Sequence, residues 1–132
     1  MKKVLVLLLA AIVLAGCAGK GKTAEQHGKG ISVEMAGSPT IKHITVVQYV
    51  NGREIVGESV INADGSALSN GENVWFDVPL SKKDKLEIAL EYSEKNDGTN
   101  PRTTRRVDIS EARAWVTLKL NEENQLEFVN AK

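Results

Sequence analysis

The side chains able to do chemistry are few. Cys17 is the only thiol, His27 and His43 are the only imidazoles, and Trp75 and Trp115 are the only indoles in 132 residues. No Gly-rich phosphate loop, His-Glu-x-x-His zinc helix or Gly-x-Ser-x-Gly nucleophile turn occurs. A Ser-His nucleophile would have to rest on His43, which no motif surrounds, and the simpler reading places His43 on a strand surface. Calcium takes oxygen ligands in loops, which brings forward Asn62, Asp64 and Ser66, and the cluster Glu94, Asn96, Asp97 and Asn100. Neither has EF-hand spacing, and Asn-Asp-Gly runs are what turns require, because these side chains mimic backbone and tolerate positive φ. The expectation is no enzyme, no metal and no cofactor.

Cys17 has a specific setting. Met1-Lys2-Lys3 begins the chain, residues 4–14 are an unbroken apolar run, and Leu14-Ala15-Gly16-Cys17 closes it. A basic start, a short apolar stretch and small residues at a break form an export signal. The run is too short for a spanning helix, which needs about 20 residues. The four residues ending in Cys17 resemble the lipobox of a bacterial lipoprotein. That resemblance implies cleavage between Gly16 and Cys17, a lipid (palmitate-type acyl chains) on the Cys17 sulfur, and attachment to the cell membrane or outer membrane, facing periplasm or exterior. An acylated Cys17 leaves no thiol for catalysis or a disulfide.

Removal of residues 1–16 leaves 116 residues, with 15 basic against 17 acidic side chains. That is one domain, without the charge that draws a protein to nucleic acid. Residues 17–30 hold the lipidated Cys17 and then four glycines and no large apolar side chain. They are expected to be a flexible tether with a reach of about 20 Å, His27 solvated within it.

From Ile31 the apolar residues fall into short alternating runs parted by turn residues, which is strand periodicity. Strands are expected over 31–35, 41–50, 54–62, 73–78, 85–92, 103–109, 114–120 and 125–129, the third with an interruption near Gly57. Asn51-Gly52 is a two-residue hairpin turn. Ser110 could cap a helical turn before the strand at 114. About eight short strands over residues 31–132 give an all-β fold, an immunoglobulin-like or transthyretin-like β-sandwich.

The tryptophans supply the candidate surface. Val74, Phe76 and Val78 share one strand face and Trp75 takes the other; Val116, Leu118 and Leu120 share one face and Trp115 takes the other. Aromatics on polar faces suit protein interfaces or sugar stacking, unless a loop or sandwich edge covers them. Tyr49 is a candidate third member. The basic residues Arg102, Arg105, Arg106 and Arg113 alternate in direction and have acidic neighbours, so they are read as a solvated, ion-paired face. The expected function is a non-catalytic cell-envelope lipoprotein that displays its sandwich to a protein partner through Trp75, Trp115 and Tyr49. The alternative is a small-ligand or glycan-binding module using the same aromatics with the loops at 62–73 and 94–101.

Overall fold

The computed structural model describes residues 21–68, 70–80 and 84–132. Among the described residues nine strands follow one short helix: α1 (Ala24–His27), β1 (Gly30–Met35), β2 (His43–Val50), β3 (Arg53–Ile61), β4 (Asn73–Phe76), β5 (Leu86–Ser93), β6 (Arg102–Thr103), β7 (Val107–Asp108), β8 (Trp115–Leu120) and β9 (Leu126–Ala131). They form two sheets. One has the order β4-β1-β8-β9, with β1 and β8 parallel and the other pairs antiparallel. The other has the order β3-β2-β5-β6, and β7 continues along β5 beyond β6.

Alternation dictates which side chains meet between the sheets. Ile31, Val33, Val74, Phe76, Val116 and Leu118 from the first sheet share a core with Ile44, Val46, Leu86, Ile88 and Leu90 from the second. The fold is an all-β sandwich, held by this burial with no disulfide available to it. Asn51 and Gly52 take positive φ (51° and 83°) and join β2 to β3 as the two-residue turn requires.

Two local features depart from the sequence expectation, and a third gives the irregularity expected at Gly57 the form of a bulge. The stretch 103–109 is two strands, because three residues (104–106) span the interval that Ala89 and Leu90 fill on β5. Thr104 closes that bulge by donating its N–H to the Leu90 carbonyl and accepting the Leu90 N–H at its hydroxyl, both at 2.9 Å. Residues 110–114 form turns rather than helix, since the N–H groups of Arg113, Ala114 and Trp115 all point at the Lys132 carbonyl oxygen. The β2–β3 register shifts between Thr45 and Val47, opposite Gly57, where an added Cβ would lie 2.8 Å from the Val46 side chain.

The tether expectation also needs correction. The described part of it, residues 21–30, belongs to the fold. Thr23 and Gln26 form a capping box at the start of α1, and Gly28 caps its end with φ 77°. Ala24 is fully buried and donates its N–H to Ser32 Oγ at 2.8 Å. Gly30 opens β1. The segment has no large apolar side chain of its own because the sheet beneath it supplies the indoles. Backbone hydrogen bonds, the Ala24 methyl group and the His27 ring complete the contact.

Candidate functional site

Trp75 and Trp115 lie on the outer face of the β4-β1-β8-β9 sheet, as alternation requires, since neither belongs to the core that Val74, Phe76, Val116 and Leu118 enter. Their exposure is another matter. The segment 21–30 crosses that face, with α1 packed against β8 and β1. Trp115 is left only 7% exposed. Trp75 is half-buried; His27 stacks on it with ring centroids 3.8 Å apart and planes 12° from parallel, and the indole Nε1–H donates to the Lys29 carbonyl at 2.9 Å. Lys29 also pairs with Asp77 at 3.5 Å, both side chains largely in water.

Tyr49 does not join them. It lies on the other sheet, facing outward with Val47 and Ala89 in a small second cluster. The Arg106 guanidinium sits 3.6 Å from its ring centroid and reaches Glu87 at 3.9 Å. Each candidate aromatic is therefore roofed by another part of the same chain, and the three are divided between two sheets. Among the described residues these three aromatics form no open patch of the kind expected from strand alternation. The N-terminal segment fills one half of it and the β6–β7 bulge the other.

The acidic loops make turns. Asp64 Oδ1 accepts the Ser66 N–H at 3.0 Å and its hydroxyl at 2.6 Å, and Asp97 Oδ1 accepts the same two groups of Thr99 at 3.0 and 2.7 Å. Asp108 Oδ1 accepts the Ser110 N–H at 2.8 Å. The three share the spacing Asp-x-Ser/Thr, and these hydrogen bonds hold their carboxyls below the usual aspartate range. Among the described residues no group of three His, Cys, Asp or Glu is placed to hold a metal ion. His43, at the start of β2, has Gly98 of the 94–101 loop packed so closely that a Cβ there would lie 2.9 Å from the ring.

Two features that alternation did not single out carry exposed surface. The first is β3, an edge strand of nine residues, exposed along almost its whole length. Ile55 (46%), Val56 (66%) and Ile61 (49%) stand open on it beside Glu54 and Glu58. The sequence signal is the doublets Ile55-Val56 and Val60-Ile61, which put apolar side chains on both faces of one strand. A small second edge, β9, exposes Phe128 and Val129. The other feature is a polar cleft of about 210 Å³ among Ser38, Tyr92, Glu94, Thr99, Arg102 and Asn124.

Gly16 and Cys17 lie outside the described residues. Residues 1–18 match the family model of the prokaryotic membrane lipoprotein lipid attachment site. No curated protein and no solved structure matches the chain. Among the described residues no helix is long and apolar enough to cross a membrane. The attachment site suggests a membrane-anchored lipoprotein.

Proposed function

We propose that this lipoprotein is non-catalytic and displays its sandwich in the cell envelope so that a protein partner can pair along β3. The observation that carries the reading is the open nine-residue edge with three exposed large apolar side chains. Unpaired edge groups template an added strand, and apolar side chains beside them give specificity. The occupant is an extended segment of another protein. Antiparallel self-pairing that sets Ile55 against Ile61 and Val56 against Val60 puts Glu58 opposite itself, and the register centred on Val56 sets Glu54 against Glu58. Like charges directly opposite are destabilising, so a strand with Lys or Arg at those positions fits better. Trp75, Trp115 and Tyr49 then serve the interaction indirectly, by fixing the segments that cover them.

Val56→Lys with Ile61→Lys tests this. Partner crosslinking in cells should disappear while Tm stays within a few degrees of the native protein, because both side chains are exposed. Undiminished crosslinking by this variant would sink the reading.

The second reading is a small polar ligand in the cleft, which falls at the 94–101 loop expected for a binding module. Its volume of about 210 Å³ is below the 300–1,000 Å³ or so of drug-sized sites, which restricts it to a small ligand. Arg102→Ala should abolish any such binding and leave partner crosslinking intact.

A further inference from the structure

The path of residues 21–30 fixes where the anchor joins the sandwich. Gly21 lies against the start of β4, so closely that a Cβ on it would be 2.5 Å from the Asn73 carbonyl oxygen. From there the chain climbs the outer face: Ala24 bonds Ser32 in mid-β1, the Lys29 carbonyl takes the Trp75 indole, and Gly30 sits beside the Phe76 carbonyl at the far end of β4. The start of β4 shares one end of the sandwich with the β1–β2, β3–β4, β5–β6 and β8–β9 connections. The Asn51-Gly52 hairpin and the β7–β8 connection occupy the other end.

Only four peptide steps separate Cys17 from Gly21. At roughly 3.3–3.6 Å per residue fully extended, they span at most about 14 Å. Crossing the headgroup layer uses about 5–7 Å of that, half the difference between the whole bilayer and its hydrocarbon core. Gly21 is therefore held within about 10 Å of the headgroup surface, while the opposite end lies about 30 Å farther along the strands, the rise of nine residues.

We infer that the end of the sandwich bearing the β3–β4 and β8–β9 connections rests against the lipid headgroups of the anchoring membrane, and the Asn51-Gly52 end is held outward. The inference rests on the lipid-anchor reading of Cys17. The resting surface carries Asp64, Glu94, Asp97, Glu122 and Glu123 against Lys42 and Lys95, so it is acidic overall and suits a zwitterionic headgroup layer better than an anionic one. The covalent anchor holds it there, without help from attraction to anionic lipid. The polar cleft between Glu94, Arg102 and Asn124 lies at this membrane-facing end. The β3 edge runs up the side from membrane to hairpin, open to a partner lying across it.

The experiment uses the lipidated full-length protein in phosphatidylcholine vesicles containing a headgroup nitroxide lipid. Fluorophores are placed at Ala63→Cys, Glu122→Cys and Glu111→Cys; acylated Cys17 does not react with the label. Labels at 63 and 122 should lose most of their emission and the label at 111 little. Equal quenching at all three positions, with the protein floating with the vesicles, would overturn the orientation alone. Failure of the native protein to float would overturn the anchor reading and this inference with it. A second variant with a dozen Gly/Ser residues inserted after Cys17, adding about 20 Å of reach, should bring the three positions level. Persistence of the difference would overturn the tether argument.

Discussion

His27 lies flat on Trp75, ring centroids 3.8 Å apart, and this contact helps tie the anchor-proximal chain to the sandwich. It turns a segment with the composition of a tether into a strap across a sheet face. The stack and the indole N–H bond to the Lys29 carbonyl hold the strap at its upper end; the buried Ala24 and its N–H bond to Ser32 Oγ hold it lower down, where the capping box shapes the strap itself.

Trp75→Ala removes both upper contacts. An aromatic pair contributes about 0.5–1.5 kcal/mol beyond burial and a neutral hydrogen bond about 1 kcal/mol. The variant should lose roughly 2 kcal/mol and become sensitive to limited proteolysis between residues 22 and 29. Intact resistance to cleavage there would show that the strap holds without Trp75.

Trp115→Ala empties a site that is 7% exposed. Loss of a buried indole costs about 3–5 kcal/mol, read as a drop in the urea midpoint. A change under about 1 kcal/mol would mean that Trp115 is not packed beneath the strap, since exposed substitutions stay within about 0.5 kcal/mol.

Gly30 has φ 82°, and a Cβ there would meet the Phe76 carbonyl at 2.5 Å and Trp75 Nε1 at 2.7 Å. Gly30→Ala combines left-handed strain, about 1–3 kcal/mol, with those clashes. Thermal unfolding should move down by several degrees. Gly52→Ala, with φ 83° but nothing within 4 Å, should cost the strain alone.

Asp64, Asp97 and Asp108 have carboxyl pKa values lowered by hydrogen bonds from Ser66, Thr99 and Ser110. A group depressed in the folded state adds stability above its unfolded pKa, and that contribution is lost as pH falls through the folded one. The contribution should be level from neutral pH down to about 5 and decline below about 4, the ordinary aspartate value. The triple Asp→Asn variant should show a shallower acid decline in urea midpoint. An identical decline would place the acid sensitivity in other carboxylates.

Strand periodicity was legible because one face of each strand is dry: Leu86, Ile88 and Leu90 announce β5, and Ile31, Val33 and Met35 announce β1. Strand order was not, since it depends on pairings such as Ile31 with Val116, separated by most of the chain. Which face Trp75 and Trp115 take was readable; that a glycine-rich segment covers them was not, because its hold comes from backbone groups and from partners distant in sequence. That Tyr49, the candidate third member, lies apart from them was not readable either, because it follows from the division of β2 and β8 between two sheets. β3 was recognisable as a strand but its place at an edge was not, and that place makes Ile55 and Val56 a surface instead of core. The lipid attachment site at residues 1–18 was legible because its signal is local and linear.

The most direct test is a photo-crosslinking residue at Val56 in the membrane-anchored protein in living cells, compared with one at Glu111 and repeated with Glu58→Lys. A discrete adduct at Val56, absent at Glu111 and lost on reversal of the Glu58 charge, is the predicted result. No adduct at Val56, or the same adducts at both positions, would contradict the claim that β3 is the edge on which a partner pairs.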